Sequence, residues 1–173
     1  MLVLCLNVWW FTTGQGSGEP EKSLGGPAPA FTLPLWERPD TEPAGEATVS
    51  LADLEGKVVL IDFWATYCGP CKRQMPVLER LHSTMDPEKF AVLSVNIDKG
   101  RNQEKLVASY IKKAGYTFPI ALDDGKTRRA FKVKSIPTMV LVSPKGEVGF
   151  VHTGLMSERR LRKKITALMG DDA

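Results

Sequence analysis

The chain has 173 residues, of which 43% are hydrophobic and 25% are charged, a composition that suits one globular domain with its own core. Its net charge of +3, from 23 basic and 20 acidic residues, is too small to indicate a nucleic-acid-binding protein. Three cysteines exclude a framework of several disulfides, and no apolar run reaches the roughly 20 residues that a bilayer-spanning helix needs.

The first 23 residues are predicted to lie outside the domain, as an apolar segment and a flexible linker. Residues 1–11 are apolar apart from Asn7, and they lack the basic start of a secretory signal. This segment is either the remnant of an export signal or membrane anchor whose start lies upstream, or a loosely packed tail. Cys5 follows bulky Leu4, so the match of this stretch to a lipoprotein cleavage box is weak.

Extended segments open the domain, which is predicted over residues 24–173. Residues 31–33 and 49–51 flank a long polar loop rich in Pro, Glu and Gly, a pattern that predicts a β-hairpin. The apolar run at residues 58–61 then predicts a strand buried on both faces, as in a parallel sheet. Further strands are predicted at residues 90–97, 118–122, 139–142 and 148–152.

Helical spacing predicts three amphipathic helices, each with one buried apolar face. The helix that follows the cysteine pair presents Met75, Leu78, Leu81 and Met85. The helix within residues 99–115 presents Leu106, Val107, Tyr110 and Ile111. The last helix presents Leu161, Ile165 and Leu168.

Cys68 and Cys71 lie where the predicted strand ends and the next helix begins. A helix N-terminus offers free N–H groups and the positive end of the helix dipole, both of which stabilise a thiolate. The thiolate is the nucleophile of thiol–disulfide exchange, and the two-residue spacing lets the second thiol attack the first sulfur. The pattern therefore indicates a redox-active pair.

Two other uses of this pair remain open from the residues alone: a permanent structural disulfide, or half of a zinc site. A four-ligand zinc site needs a second pair of cysteines or histidines, whereas His82 and His152 are single and far apart in the sequence. The third cysteine, Cys5, lies in the tail. The pair therefore favours exchange chemistry, and neither a metal site nor a bound cofactor is predicted.

The stretch Asp62-Phe63-Trp64-Ala65-Thr66-Tyr67-Cys68-Gly69-Pro70-Cys71-Lys72 closely resembles the active-site stretch of thioredoxin. From about Leu24 to Met169 the chain is similar to the TlpA/ResA-type thiol–disulfide oxidoreductases, the envelope branch of the thioredoxin superfamily. The resemblance implies a thioredoxin-like α/β fold. That fold has a central mixed sheet flanked by helices, an N-terminal β-hairpin and a helix–strand insertion.

The resemblance implies that Cys68 is the attacking nucleophile and that Cys71 is the buried resolving thiol, which attacks the mixed disulfide. Asp62 interrupts an apolar strand, where a carboxylate is costly unless it has a role or a partner. Judged from the residues alone, Asp62 could instead face water at the strand end. By resemblance, it relays the proton of the resolving cysteine, and burial should raise its pKa toward neutrality.

Two positions depart from the family pattern. Thioredoxin carries a lysine on the neighbouring strand beside the buried aspartate, and alignment of Asn96-Ile97-Asp98 with the family places Ser94 there. Many TlpA/ResA-type proteins carry a glutamate three residues after the second cysteine, where this chain has Gln74, which cannot titrate. These departures weaken the transfer of a cytochrome-c-maturation role to this protein.

A substrate-binding surface around Cys68 is also implied by the resemblance. Pro137 matches the family's cis-proline, and a cis bond there leaves the backbone of Ile136 free to pair with an extended substrate chain. An ordinary trans proline at a strand start is the alternative, which the cysteine pair disfavours. The predicted contact residues are Trp64, Tyr67, Gly69, Pro70, Ile136, Pro137 and Gly154.

The predicted function is reduction or exchange of disulfides in protein substrates, with electrons delivered to Cys68 and Cys71 by an upstream dithiol donor. Alternatives are a copper-binding or metal-delivery protein, a disulfide-forming oxidant, and a peroxidase, which is disfavoured because a single peroxidatic cysteine motif is absent. The resemblance implies the bacterial cell envelope or periplasm, with membrane tethering through the N-terminus; a cytoplasmic protein is the alternative. We expect a monomer without nucleic-acid partners.

Overall fold

The computed structural model describes residues 25–36 and 47–170. The predictions for the N-terminal apolar segment, for Cys5 and for most of the polar loop lie outside the described residues. The strands are β1 Thr32–Pro34, β2 Thr48–Ser50, β3 Val58–Trp64, β4 Phe90–Asn96, β5 Ile120–Leu122, β6 Thr138–Val142 and β7 Val148–Thr153. The α-helices are α1 Gly69–Thr84, α2 Gln103–Ala114, α3 Thr127–Ala130 and α4 Glu158–Gly170, and a short 3-10 helix spans Ala52–Leu54.

The described strands form two sheets. β1 and β2 pair antiparallel as the predicted N-terminal hairpin. The other five strands form a mixed sheet in the order β5-β4-β3-β6-β7, in which β3, β4 and β5 are parallel and β6 and β7 are antiparallel to their neighbours. The helix α2 and the strand β5 form the predicted insertion between β4 and the last hairpin.

The central strand β3 explains the position of the site. All seven of its residues are buried, as a strand flanked on both sides by other strands and covered on both faces must be. The strands β4 and β5 run parallel to β3, so all three end at the same edge of the sheet. The antiparallel strand β6 begins at this edge, and β7 ends there. Five chain segments therefore meet where β3 ends. The cysteine pair follows β3 at this edge, which we call the active edge.

The helices cover the sheet mostly as their patterns predict. Met75, Leu78 and Leu81 of α1 are buried, and α4 packs against α1 and β3. Leu161 and Ile165 of α4 are buried too, whereas Leu168 is half-buried and packs against the core.

The apolar face predicted for α2 is wrong at one position. Val107 and Ile111 are buried and Tyr110 is half-buried, but Leu106 is 50% exposed. The helix presents a narrower stripe than the sequence pattern predicts, because only one side of α2 packs against the protein.

Candidate active site

The two cysteines form a disulfide across the first turn of α1, with 5.3 Å between their Cα atoms. Cys68 is the N-cap of the helix: its backbone is extended, and its Sγ accepts a hydrogen bond of 3.1 Å from the N–H of Cys71. Pro70 follows within the first turn, where its missing N–H costs no helical hydrogen bond. The sulfur of Cys68 therefore lies at the positive end of α1, as the sequence predicts.

The two cysteines differ in access to solvent. Cys68 retains 8% of its surface, whereas Cys71 is completely buried. A partner can therefore reach Cys68 first, and Cys71 is reached only through Cys68. This asymmetry agrees with the predicted roles of attacking and resolving thiols.

The loop between β3 and α1 is held by Asp98, a residue that sequence reasoning used only for alignment. The Asp98 carboxylate accepts hydrogen bonds of 2.9 Å from the N–H of Thr66 and 2.8 Å from the side-chain amide of Asn96. The N–H of Asp98 donates in turn to Oδ1 of Asn96, at 3.1 Å. The signal in the sequence was a pair of polar residues at the end of a buried strand, Asn96 as its last residue and Asp98 just beyond it, at the edge where a site is expected.

Asp62 is completely buried in β3, three residues before the strand-to-helix loop. Neither of its carboxylate oxygens has a hydrogen-bond partner among the described residues. Loss of solvation by burial raises the pKa of Asp62 from its ordinary value of 3.8 to about 7. The carboxyl group can therefore exchange a proton near neutral pH, as predicted.

The strand neighbours of Asp62 carry no charge. Register places Ser94 of β4 on one side of Asp62 and Met139 of β6 on the other. The alignment that placed Ser94 beside the buried aspartate is thus confirmed. Its hydroxyl is buried and, like the Asp62 carboxylate, has no hydrogen-bond partner among the described residues. Buried polar atoms of this kind are ordinarily satisfied by internal water.

The Ile136–Pro137 peptide bond, which directly precedes β6, is cis. The register of β6 places Thr138 opposite Phe63, so Pro137 lies at the level of the end of β3. The carbonyl of Pro137 accepts a hydrogen bond of 2.8 Å from the N–H of Gly154. Gly154 has a φ of 103°, a backbone conformation that favours glycine. Ile136, Pro137 and Gly154 therefore meet at the active edge.

Gln74 makes a contact that sequence reasoning missed. Its side-chain nitrogen donates to the carbonyl of Met156 at 3.0 Å, and its side-chain oxygen accepts from the N–H of Met156 at 2.9 Å. The sequence analysis treated Gln74 only as a position that cannot titrate. No local pattern signals this pair, because its members lie 82 positions apart.

The structure corrects the prediction for Trp64. Its side chain is fully buried and contacts Tyr110 of α2, with ring centroids 5.5 Å apart, so it packs inside the protein instead of forming surface around Cys68. Trp64 occupies the last position of a strand that is buried on both faces, which leaves its ring no route to solvent.

Of the other predicted contact residues, the three nearest to Cys68 in the sequence lie at the surface, whereas Ile136 and Gly154 are half-buried and Pro137 is buried. Tyr67 is 74% exposed, and Gly69 and Pro70 are also exposed. Sequence reasoning missed Leu155, which follows Gly154 and is 47% exposed. Tyr67 and Leu155 give the active edge an apolar character that a bound polypeptide could cover.

The described residues contain neither a metal-binding cluster nor a membrane-spanning helix. Within residues 25–36 and 47–170, no group of three or more His, Cys, Asp or Glu side chains is arranged to hold a metal ion. In the same part of the chain, no helix has the length and apolar character required to cross a bilayer.

Comparisons with known proteins identify similar chains. Residues 24–151 match the AhpC/TSA family. The thioredoxin-like protein YneN of Bacillus subtilis is 35% identical over 116 residues, which are 67% of this chain and 68% of the relative. The thiol-disulfide oxidoreductase ResA of Oceanobacillus iheyensis is 32% identical over 139 residues, which are 80% of this chain and 69% of the relative. ResA of Bacillus subtilis is 29% identical over 159 residues, which are 91% and 83% of the two chains.

Solved structures extend this similarity to three dimensions. A crystal structure from Chlorobium tepidum, assigned as a thiol:disulfide interchange protein DsbE, superposes with a TM-score of 0.73 at 29% identity, over 87% of this chain and 99% of that one. A second structure from Chlorobium tepidum TLS, of a thiol:disulfide interchange protein, shares the fold with a TM-score of 0.72 at 24% identity, over 84% of this chain and 97% of that one. These similarities confirm the predicted thioredoxin-like fold.

Proposed function

We propose, from the premise that this chain belongs to the AhpC/TSA family and is a thiol–disulfide oxidoreductase, that it reduces disulfides in protein substrates and is itself reduced by an upstream dithiol donor. The observation that carries the proposal is the asymmetry of the cysteine pair. Cys68, which keeps a small exposed surface, caps a helix through its sulfur, whereas Cys71 is completely buried. This arrangement suits attack by one thiol and resolution by the other.

The first step is attack by the Cys68 thiolate on one sulfur of a substrate disulfide. A bond forms between Cys68 and that sulfur, the substrate S–S bond breaks, and the other substrate sulfur leaves as a thiolate. The N–H of Cys71 and the N-terminus of α1 favour the thiolate form of Cys68, because both place positive charge beside its sulfur.

The second step is attack by Cys71 on the sulfur of Cys68. This step forms the Cys68–Cys71 disulfide and releases the second substrate thiol, so two electrons pass from protein to substrate. Cys71 must lose a proton to attack. We assign Asp62 as the acceptor, because its carboxyl group is buried, has a pKa of about 7 and is unpaired among the described residues.

The proposed role of Asp62 is tested by Asp62→Asn. The asparagine cannot accept the proton, so release of substrate from the mixed disulfide should slow by about 100-fold, the scale of general-base catalysis. Stopped-flow measurement should show an unchanged rate for the first step, and an unchanged second step would count against the role of Asp62.

The substrate would bind across the active edge in an extended conformation. The backbone of Ile136 would pair with the substrate chain, as a strand added to the sheet. Tyr67, Gly69, Pro70 and Gly154 would contact the residues that flank the substrate cysteine.

We further propose that the protein is a monomer in the bacterial cell envelope, tethered through its N-terminal segment. Cell fractionation with an antibody to the full chain tests this location.

The reduction potential of the Cys68–Cys71 pair tests the direction of electron flow. We expect a value near that of thioredoxin, about −270 mV, when the protein is equilibrated with thiol–disulfide buffers and free thiols are counted by mass spectrometry. A value near −120 mV would make this protein a donor of disulfides instead. A pair that cannot be cycled would contradict the redox proposal, and titration of the thiols with copper or zinc would then test metal binding.

A further inference from the structure

We propose that Gln74 is a positioning residue whose side-chain amide holds the Gly154–Met156 segment against α1 and so shapes the surface that a polypeptide substrate meets beside Cys68. Gln74 acts through the backbone of Met156, to which both hydrogen bonds of its amide are made. The proposal rests on the proposed function, since a reductase of protein disulfides needs such a surface.

The contact between Gln74 and Met156 is reciprocal. The amide nitrogen donates to the Met156 carbonyl at 3.0 Å, and the amide oxygen accepts from the Met156 N–H at 2.9 Å. Gln74 is only 1% exposed, so both hydrogen bonds are shielded from water. Such shielded bonds are costly to break, because neither partner finds a substitute in solvent.

The position of the contact links it to the active edge. Gln74 lies three residues after Cys71, about one helical turn further along α1. At its other end the Gly154–Met156 segment is held by the hydrogen bond from Gly154 to the carbonyl of Pro137. The segment is therefore fixed to the helix of the cysteines at one end and to the cis-proline at the other.

Leu155 lies between these two fixed points. It is 47% exposed, whereas its neighbour Met156 is buried. Gly154 and Met156 are both held, and the carbonyl of Leu155 lies 3.3 Å from Nε2 of His152, so the backbone of Leu155 has little freedom and its side chain starts from a fixed position. A preorganised apolar side chain binds a partner with less loss of entropy than a mobile one.

An amide satisfies Met156 in a way that an ionised carboxylate cannot. An amide both donates and accepts, whereas a carboxylate only accepts and would place a negative oxygen against the Met156 carbonyl. A protonated carboxyl group, by contrast, also donates and accepts. Gln74 therefore maintains at every pH a contact that a glutamate would maintain only while protonated.

This difference makes Gln74→Glu a pH-dependent test. The reduced full-length protein is mixed with an extended peptide whose single cysteine is disulfide-bonded to 2-nitro-5-thiobenzoate, and separately with the symmetrical small-molecule disulfide of that thiol. The ratio of the two rate constants isolates contacts with the peptide. Gln74→Met removes the contact at every pH. Arg73→Gln is the control for the charge change of Gln74→Glu, because Arg73 is exposed and its loss lowers the net charge by one, as the ionised glutamate does.

We expect Gln74→Met to lower the peptide-to-small-molecule ratio about tenfold at every pH, as loss of two buried hydrogen bonds predicts. Gln74→Glu should keep the wild-type ratio at about pH 5.5 and fall toward the Gln74→Met value at about pH 8.5, since burial keeps its carboxyl protonated in mild acid. Arg73→Gln should follow wild type throughout. A ratio unchanged in Gln74→Met, or a Gln74→Glu ratio independent of pH, would overturn the proposal.

A second measurement does not depend on activity. Hydrogen exchange of the Met156 amide should accelerate about tenfold in Gln74→Met relative to Arg73→Gln. Unchanged exchange would overturn the proposed contact. Exchange could accelerate in Gln74→Met while the wild-type protein reacts no faster with the peptide than with the small-molecule disulfide. In that case Gln74 holds the segment, but the proposed function on polypeptides is wrong. The positioning role would then be contradicted as well.

Discussion

Two buried polar residues, Asp62 and Gln74, lie on either side of the cysteine pair in the sequence. They differ in whether their side chains have hydrogen-bond partners. The side-chain oxygens of Asp62, in β3, and of its neighbour Ser94 have no hydrogen-bond partner among the described residues. Gln74, in α1, has both ends of its amide bonded to Met156. We call the first the Asp62 region and the second the Gln74 contact.

The two groups therefore contribute differently to the protein. A buried polar group without a protein partner costs stability, and it persists where its chemistry is used. A buried polar group with all partners in place joins two elements and gives the joint one geometry. The Asp62 region is thus suited to moving a proton, and the Gln74 contact to holding a surface.

The largest effect on activity is expected from removing either sulfur of the pair, which both buried groups are proposed to serve. Cys71→Ser should lower steady-state reduction of insulin by at least about 10³-fold, because the mixed disulfide at Cys68 is no longer resolved. The mixed disulfide should be visible by mass spectrometry. Cys68→Ser should lose activity without any trapped adduct; an adduct in that variant would reverse the assignment of the two thiols.

The Asp62 region predicts stability that depends on pH. Burial raises the pKa of Asp62 from 3.8 to about 7, so the folded protein binds this proton more tightly than the unfolded chain does. The stability from this group is complete below about pH 4 and is lost as pH rises to about 7, by about 4 kcal/mol in total. Asp62→Asn should lack this loss, so its stability relative to wild type should increase with pH.

Urea unfolding of the oxidised proteins at about pH 5 and about pH 8 measures this dependence. Glu88→Gln is the control, since it removes an exposed carboxylate. A difference between Asp62→Asn and wild type that does not change with pH would show that Asp62 is not the buried acid described here.

The Gln74 contact predicts an effect of the opposite sign. Gln74→Met should destabilise the oxidised protein by about 2 kcal/mol, because the N–H and the carbonyl of Met156 are left buried without partners. Unfolding in urea at about pH 8 should show a lower midpoint, while Arg73→Gln should stay within about 0.5 kcal/mol of wild type. A Gln74→Met variant that is more stable than wild type would contradict this prediction.

The smallest effect is expected at Tyr67, on the exposed surface beside Cys68. Tyr67 is 74% exposed, so Tyr67→Ala should leave stability within about 0.5 kcal/mol of wild type. It should lower kcat/KM for insulin about fivefold, the effect of losing one aromatic contact at an interface. Leu106→Ala, at an exposed apolar residue of α2, is the control. Equal effects of the two variants would remove Tyr67 from the substrate surface.

Local patterns in the sequence predicted much of this arrangement. The apolar run before Cys68 and the helical spacing after Cys71 depend on neighbours only a few positions away. The same logic failed at Leu106, whose exposure depends on which side of α2 packs against the protein. It also failed at Trp64, because an apolar residue beside an active site can point into the core or out of it with the same local pattern.

The sequence by itself determined the chemistry of the protein: a thiol pair at a helix start, a carboxylate within an apolar strand, and a proline before a later strand. These are covalent or local properties, and a short stretch of chain is enough to specify them. Only the tertiary structure decided which of these groups have partners. It brought Met156 to Gln74 from 82 positions away, and it enclosed Asp62 between uncharged neighbours. Burial and long-range hydrogen bonding depend on how the whole chain packs, so no segment of the sequence contains them.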